Sequence, residues 1–262
     1  MKKPKSEYAI QTVTNALRLL DVFRDEEEVG VAELARRLGL HKNNVFRLLA
    51  TLEEQGYIEQ CPVSERYRLG IGSLELGHSF LRSRTLCGRA RPILEQLCEE
   101  TGESAHLGLM SGFEVIHVDG VSPNRLVLAS LRAGHRLPVH CTALGKVLLG
   151  HAAEAQRQCF ERTVIAAGGL ERRTRQTILD PDKFFEHIRT AAGQGYAVDV
   201  DECEIGMTCA AAPVRDASGK VIAAFSVSAP SSRIDEEALL RDICPQVVAA
   251  ADRLSHALGF AV

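Results

Sequence analysis

Five basic or potentially basic side chains lie close together between Leu34 and Leu52: Arg36, Arg37, His41, Lys42 and Arg47. No acidic residue falls among them, although the chain of 262 residues has a formal net charge of only −3. Lysine and arginine neutralise phosphate, arginine also bonds guanine, and asparagine bonds adenine. The positive charge is confined to this segment, because residues 1–84 taken together are almost neutral, with 13 basic and 12 acidic residues. The segment is therefore suited to binding nucleic acid.

A second group of chemically active residue types follows residue 100. Its members are possible metal ligands: His106, His117, His135, His140, Asp199, Cys203 and Cys209. Cys203 and Cys209 are too far apart for the close Cys/His pairs of a structural zinc site, and no C-x-x-C pair occurs in the sequence. We predict no metal and no cofactor, with a metal-sensing domain as the alternative.

The common catalytic motifs do not occur in the sequence. There is no G-x-S-x-G, no G-x-x-x-x-G-K-[ST], no H-E-x-x-H and no complete G-x-G-x-x-G. Ser226 and a distant histidine could form a hydrolytic pair, but nothing in the sequence brings them together. We predict that the protein is not an enzyme, with a small-molecule hydrolase as the alternative.

The basic segment falls on the second and third of three predicted helices. Apolar residues at helical spacing predict the first helix over residues 13–23, with Thr14 as a candidate cap. The second helix is short and ends at Gly39, which can adopt the positive φ of a helix exit. The third helix runs to Gly56 and has one apolar face: Val45, Leu48, Leu49 and Leu52. Two short helices joined by such a turn form a helix-turn-helix.

A β-hairpin is predicted directly after the third helix. Its apolar strand positions are Ile58, Tyr67 and Leu69, and residues 61–65 form its turn. Such a hairpin is a wing, whose basic residues can hold the DNA backbone while the early residues of the third helix enter the major groove. The predicted DNA-binding side chains are Arg36, Arg37, Lys42, Asn43, Asn44, Arg47, Arg66 and Arg68.

The rest of the chain has a different pattern. A largely helical stretch predicts two helices that meet near residues 84–87. From residue 104, short β-type runs bounded by Gly, Pro or Asn combine with helical segments. This pattern predicts an α+β fold with a central antiparallel sheet flanked by helices. The predicted domains are a winged helix-turn-helix over 1–70, a linker helix over 71–86 and a C-terminal domain over 87–262.

The composition is typical of a globular protein. Hydrophobic residues make up 45% of the chain, which is enough to bury a core in each domain. No segment approaches about 18 uncharged apolar residues, and the basic start is not followed by an apolar run of signal-peptide length. The eight cysteines lack the density of a small secreted scaffold. We expect a cytoplasmic protein with no membrane contact and mostly reduced cysteines.

The sequence resembles the IclR family of bacterial transcriptional regulators over residues 10–259. The resemblance rests on the terminal helix and on these segments, in family order: VTNALRLLDVF, VAELARRLGLHKNNVFRLLATLEEQGYIE, RYRLGIGSLELG, LCEETGESAHLGL, LPVHCTALGKVLL and GYAVDVDECEIGMTCAAAPVRDASGKVIAAFSVSAPSSRI. One position departs from the family, which often has Pro-Lys-Ser-Thr where this chain has His41-Lys42-Asn43-Asn44. The resemblance implies a ligand-responsive regulator with a GAF-like or PAS-like effector-binding domain, whose ligand is often a carboxylate.

The effector pocket that the resemblance implies falls on six residues: Ala143, Leu144, Asp199, Cys209, Ser226 and Ser228. Free N–H groups where a helix begins after Thr142 can hold an anion, and strand alternation puts Ser226 and Ser228 on one face. Candidate apolar neighbours are Leu128, Met207 and Phe225. The Asp199 carboxylate would repel an anionic ligand unless it is protonated or bonds a hydroxyl group of that ligand, so we expect a hydroxy or keto acid and not a dicarboxylate.

The predicted partners are a double-stranded DNA operator, a small organic acid and further copies of the chain. One recognition helix contacts too few base pairs for specificity in a genome. Two half-sites about 34–36 Å apart, or a multiple of that, would supply the specificity and require a homodimer. The family resemblance extends this to a dimer of dimers.

Overall fold

The computed structural model describes residues 9–24, 26–83, 85–124 and 134–261. The chain divides into two compact units, residues 1–84 and 85–262. The first unit is helical with a two-stranded sheet, and the second has a six-stranded antiparallel sheet with helices on both faces. The predicted α+β fold class is confirmed. The domain boundaries near residues 70 and 86 remain a prediction.

The first unit begins with three helices: α1 (Gln11–Val22), α2 (Val31–Leu38) and α3 (Lys42–Glu54). α2 ends because Gly39 has a φ of 67°, a conformation that disfavours any side chain, and the chain then turns directly into α3. The hairpin and a fourth helix complete the unit: β1 (Ile58–Gln60), β2 (Tyr67–Leu69) and α4 (Ile71–Ser83). This is the predicted winged helix-turn-helix.

The apolar face predicted for α3 lies in the core of this unit. Val45 and Leu49 are fully buried, and they pack in one cluster with Leu34 of α2, Ile58 of β1 and Tyr67 of β2. The cluster ties the wing to the helices. Recognition helix and wing are therefore held by a shared apolar core.

The face predicted for α1 is partly wrong. Leu19 is fully buried, whereas Val13 and Leu17 are 53% and 58% exposed. The predicted cap is also wrong, because Ile10 precedes the helix and the Thr14 hydroxyl donates to its carbonyl oxygen from inside the first turn. α1 thus leaves an apolar stripe outside the core of its own unit.

The helices of the second unit are α5 (Thr85–Thr101), α6 (Ala143–Gly150), α7 (Glu154–Phe160), α8 (Pro181–Gln194) and α9 (Cys244–Ala257). α7 continues into a π-helical turn, and a similar turn precedes α9. Asp180 caps α8 by accepting from the Lys183 N–H. Pro245 lies in the first turn of α9, directly after the π-helical turn over Leu239–Ile243, which accommodates a residue that has no N–H.

The strands of the second unit are β3 (Ser104–Ser111), β4 (Glu114–Val121), β5 (Arg136–Pro138), β6 (Ala197–Val200), β7 (Met207–Arg215) and β8 (Val221–Pro230). Their order in the sheet is β5-β4-β3-β8-β7-β6, and every neighbouring pair is antiparallel. The strand predicted over 125–131 lies outside the described residues, and the sequence reading did not anticipate β5.

Each face of this sheet carries its own apolar core. α5 and α9 cover one face, where Leu107 and Phe225 are fully buried. α6 and α8 cover the other, where Val115 and Ala211 are buried against the helices. The candidate cavity opens on this second face. Among the described residues, no helix is both long enough and apolar enough to cross a membrane.

Candidate functional site

Four of the predicted DNA-binding side chains project from the start of α3. Lys42, Asn43, Asn44 and Arg47 are all exposed. Among the described residues, no side chain forms an ion pair or hydrogen bond with these four side chains. α3 thus presents two amides and two cations that can bond base edges and phosphates without first breaking a contact.

The other four predicted side chains have acidic neighbours, some within one helical turn and others farther away in the sequence. Arg37 forms ion pairs with Glu26 at 2.7 Å and Glu33 at 2.5 Å, and both contacts raise the pKa of the Arg37 guanidinium. The Arg68 guanidinium lies 2.7 Å from Glu59. The positive charge of these two arginines is therefore partly neutralised within the protein.

Arg36 and Arg66 are held less tightly. Both lie at longer range from Glu33, at 3.9 Å for Arg36 and 3.6 Å for Arg66. Arg36 keeps 75% of its side chain exposed. Exposed ion pairs of this length contribute little, roughly 0–1 kcal/mol, so either arginine can exchange its partner for a phosphate.

All six residues predicted for the effector pocket line a single cavity of the second unit: Ala143, Leu144, Asp199, Cys209, Ser226 and Ser228. Met207, expected as an apolar neighbour, also lines it. Phe225 does not, because it points to the opposite face of the sheet, and Leu128 lies outside the described residues. Five further lining residues were not predicted for the pocket: His117, Leu137, Thr142, Cys203 and Glu204.

The cavity encloses about 380 Å³, part of it open to solvent. The volume that the centre of a water molecule can occupy is about 30 Å³. A water molecule needs roughly 10–15 Å³ by the same measure, so the space holds only a few waters as it stands. A ligand of more than a few atoms therefore requires lining side chains to move, and the flexible Met207 is well suited to this.

One wall of the cavity is the beginning of α6. Thr142 caps the helix, since its hydroxyl oxygen accepts from the Gly145 N–H at 3.2 Å while the hydroxyl donates to the Pro138 carbonyl oxygen at 2.9 Å. A Cβ at Gly145 would lie 2.2 Å from the Val139 carbonyl oxygen, so only glycine allows this close approach. Thr142, Ala143 and Leu144 line the cavity, and free N–H groups in the first turn of a helix can stabilise an anion.

The floor of the cavity comes from the sheet. Ser226 and Ser228 share one face of β8, as strand alternation predicts. The Cys209 thiol of the neighbouring strand donates to the Ser228 hydroxyl oxygen at 3.3 Å. Small polar side chains in this arrangement can bond the oxygens of a ligand.

Asp199 is a buried carboxyl group at one end of the floor. It is 2% exposed, and its Oδ1 accepts from the N–H groups of Glu202 at 2.8 Å and Cys203 at 3.3 Å. Burial, reinforced by the nearby Glu202 carboxylate, raises the pKa of Asp199 to about 8. Near neutral pH the carboxyl is therefore mainly protonated and can donate to an anionic ligand instead of repelling it.

A buried ion pair supports this end of the cavity. Lys146 of α6 is 1% exposed, pairs with Glu202 and donates to the Val198 carbonyl oxygen at 3.1 Å. Burial raises the pKa of Glu202 despite the lysine. The pair joins α6 to the loop that positions Asp199, and removing one partner would leave an uncompensated buried charge.

Two histidines lie on the side of the cavity opposite to Asp199, on strands β3 and β4. His117 of β4 lines the cavity, and the ring of the fully buried His106 meets it edge to face with centroids 5.3 Å apart. His106 also lies directly opposite Ser226 in the β3–β8 register, so the structure brings together a serine and a histidine that the sequence does not connect. Alternation along β4 places His117 on the same face as Val115, and a β-bulge at Leu107/Gly108 shifts the β3–β4 register only beyond His117.

The metal-ligand candidates do not assemble into a cluster. In the ranges that the structure describes, no three His, Cys, Asp or Glu side chains lie together in a way that could hold a metal ion. His140 instead has its Nε2 2.8 Å from the Glu171 carbonyl oxygen.

Comparisons with known proteins agree with this architecture. The description "IclR helix-turn-helix domain" matches residues 12–62, and "Bacterial transcriptional regulator IclR C-terminal" matches residues 78–256. The chain is 34% identical over 256 residues to the HTH-type transcriptional regulator XynR of Escherichia coli, covering 96% of this chain and 98% of the relative. It is 31% identical over 253 residues to the transcriptional repressor IclR of Escherichia coli, and the match covers 95% of this chain and 90% of the relative.

A solved structure shares the fold over nearly the whole chain. It is an IclR homologue from Microbacterium hydrocarbonoxydans complexed with 4-hydroxybenzoate. It is 25% identical in sequence, with a TM-score of 0.81, and the match covers 94% of this chain and 98% of that one. Both the helix-turn-helix unit and the cavity-bearing unit therefore have counterparts in known regulators.

Proposed function

The chain belongs to the IclR family of bacterial transcriptional regulators, and from this premise we propose how its two units act. It is a DNA-binding regulator with an effector-binding C-terminal domain. We assign the cavity to binding and not to catalysis, because the relatives that match over most of their length are transcriptional regulators. The observation that carries the proposal is the occurrence in one chain of an exposed cationic recognition helix and of a cavity that gathers Asp199, Ser226 and Ser228 beside the start of α6.

Operator contact is assigned to the eight predicted side chains in two groups. The start of α3 reads bases, because Asn43, Asn44 and Arg47 are exposed and without a bound acid among the described residues. Lys42 of α3 holds phosphate. Arg66 and Arg68 of the wing, with Arg36 and Arg37 of α2, also hold phosphates and must exchange carboxylate partners to do so.

Replacing Arg47 tests this assignment. Arg47→Ala is expected to weaken binding to an operator fragment, selected from genomic DNA with the wild-type protein, by about 1–3 kcal/mol, because a base contact is lost. Lys42→Ala should weaken all sequences alike and reduce the salt dependence. Arg68→Ala is the matched control, since Glu59 already pairs with that arginine, and its effect should be smaller. Wild-type affinity in Arg47→Ala would rule out the groove assignment.

The cavity is proposed to bind a small organic acid. The carboxylate accepts from the N–H groups at the start of α6, near Ala143 and Leu144, and its other oxygens meet Ser226, Ser228 and Cys209. The protonated Asp199 supports this, because a neutral carboxyl can donate where an ionised one would repel.

Binding of an organic acid can be measured as an increase in the thermal stability of the protein. A ligand present at a hundred times its dissociation constant adds about 2.7 kcal/mol to the free energy of unfolding. The double variant Ser226→Ala/Ser228→Ala should lose most of that gain, whereas Ser111→Ala, at the exposed end of β3, should keep it. A double variant with the full stabilisation and ligand-dependent operator binding would exclude these serines from the site.

Operator binding further leads us to propose a homodimer, or a dimer of dimers. α1 offers a surface for it, because Ile10, Val13 and Leu17 lie on one face at spacings of three and four residues and are 66%, 53% and 58% exposed. Exposed apolar side chains grouped in this way are typical of interaction surfaces. A two-fold dimer would match two operator half-sites.

A further inference from the structure

An exposed aromatic side chain lies near the start of the recognition helix. Phe46 of α3 is 57% exposed, and of the phenylalanines whose burial the structure describes it is the only exposed one. Phenylalanine is among the residue types most often found in protein cores. Phe46 is absent from the predicted DNA-binding set, because its side chain has neither a charge nor a hydrogen-bonding group.

The neighbours of Phe46 on α3 include residues assigned to DNA contact. Residues three and four positions apart lie side by side on a helix. The Phe46 ring therefore lies one turn after Lys42 and Asn43 and one turn before Ala50, and all three of these residues are exposed. Single apolar side chains are common on protein surfaces, but this one lies within the surface that is proposed to enter the major groove.

The charge around the ring indicates which partner covers it. Lys42 and Arg47 are both exposed, and in the part of the chain that the structure describes no acidic side chain pairs with either of them. A second copy of the same face, related by two-fold symmetry, would place these cations against each other and is disfavoured. A polyanion is instead attracted to them. DNA is therefore the partner that would bury the Phe46 ring.

In the major groove the ring can match a base edge that carries an apolar group. Thymine exposes its 5-methyl group there, whereas adenine, guanine and cytosine present mainly hydrogen-bond donors and acceptors. Packing the ring on such polar groups would strip them of water without replacing the hydrogen bonds, which costs free energy. Packing it on a methyl group buries apolar surface on both sides. Ala50, one turn later, is small enough for the helix to approach the base pairs closely.

We propose that Phe46 packs against the 5-methyl group of one thymine in each operator half-site and thereby contributes to the sequence specificity of the protein. The inference rests on the proposed placement of α3 in the major groove and adds a residue that recognises a base by apolar contact. Asn43 and Arg47 recognise neighbouring base edges by hydrogen bonds. Each half-site is thus expected to contain a thymine at a fixed distance from the bases that Asn43 and Arg47 contact.

Replacing single thymines by uracil tests the methyl contact directly, because uracil lacks the 5-methyl group and keeps the same hydrogen-bonding edge. The operator fragment is the one selected from genomic DNA with the wild-type protein, and each thymine of its half-sites is replaced in turn. Binding of the full-length protein is measured at constant salt concentration. At one thymine per half-site the replacement should weaken binding by about fourfold, which corresponds to the burial of one methyl-sized group.

Variants of Phe46 assign the lost contact to this side chain. Phe46→Ala should weaken binding to the unmodified operator by about fourfold or more and should no longer respond to uracil at that position. Its melting temperature should equal that of the wild type, because the ring is exposed in the free protein. Phe46→Leu keeps an apolar side chain and should retain most of the response to uracil. Ile205→Ala, which shortens a 77% exposed apolar side chain of the second unit, should behave as wild type.

The possible failures differ from one another. If Arg47→Ala and Phe46→Ala both bind the operator with wild-type affinity, the placement of α3 in the groove is wrong and the inference falls with it. If Arg47→Ala weakens binding but no uracil replacement weakens binding of the wild type, α3 remains the recognition helix and the thymine contact is overturned. If Phe46→Ala responds to uracil as strongly as the wild type, another side chain contacts the methyl group and the role of Phe46 is overturned.

Discussion

The protonation of a single buried carboxyl group governs the chemistry of the cavity. Asp199 accepts hydrogen bonds from two backbone N–H groups, which favour the ionised carboxylate. Burial and the Glu202 carboxylate have the larger effect and raise the pKa of Asp199. Its own loop supplies both the two donor N–H groups and the carboxylate that opposes ionisation. The residue can therefore serve as a hydrogen-bond donor toward an acid, a role that its residue type alone would not indicate.

This raised pKa predicts a pH dependence of stability. The pKa of Asp199 is about 8 in the folded protein against 3.8 for the free side chain. Between these values the folded chain holds a proton that the unfolded chain has lost, so the contribution is complete at low pH and disappears as pH rises. The free energy of unfolding should fall by up to about 1.4 kcal/mol per pH unit from this group.

Urea unfolding of Asp199→Asn and wild type, between about pH 5 and pH 8, isolates the effect. The variant should show a shallower fall of stability with pH, because asparagine does not titrate. Asp252→Asn, on the exposed side of α9, is the control and should follow the wild type. Equal slopes in Asp199→Asn and wild type would mean that Asp199 is ionised in the folded protein.

At the scale of single elements, local patterns succeed where one face of an element is clearly apolar. The face of α3 follows from the sequence because polar residues lie opposite its buried ones, and the two faces of β8 follow because Ser226 and Ser228 alternate with Phe225 and Val227. The prediction fails for α1, because the apolar residues of this helix are spread over more than one face. Periodicity therefore cannot say which of Val13, Leu17 or Leu19 enters the core. The exposed apolar residues Val13 and Leu17 are instead candidates for the proposed contact between two copies of the chain.

The start of α6 is positioned at the cavity by its close contact with the backbone of the preceding segment. The contact of Gly145 with the Val139 backbone brings the first turn of the helix against the chain that leads into it, and Thr142 closes the turn. Ala143 and Leu144 thereby face the sheet with 2% and 3% exposure. The motif in the sequence indicates a helix start, and the packing of that start over polar strands makes it part of a cavity.

At the scale of the whole molecule, the proposed operator binding requires more than one copy of the chain. The proposed dimer is tested with Val13→Glu/Leu17→Glu, which places like charges in the α1 stripe and should dissociate the assembly. Light scattering should give at least twice the chain mass of 28.6 kDa for wild type and a lower mass for the variant. Val63→Glu, at the 92% exposed wing tip, should leave the mass unchanged.

A wild-type mass of one chain at micromolar concentration would contradict the dimer itself. A variant that keeps the wild-type mass would instead move the interface away from α1. Operator affinity should fall together with the mass, because two recognition helices bind two half-sites and one does not.

The sequence by itself determined the helix-turn-helix and wing, the family and the six residues that surround the cavity, because these depend on short-range periodicity, turn chemistry and recognisable motifs. Only the tertiary structure decided the electrostatics. Glu26 and Glu59 pair with Arg37 and Arg68 from other elements, and burial near Glu202 raises the pKa of Asp199. Charge and burial depend on neighbours far away in sequence, whereas periodicity depends on neighbours a few residues away.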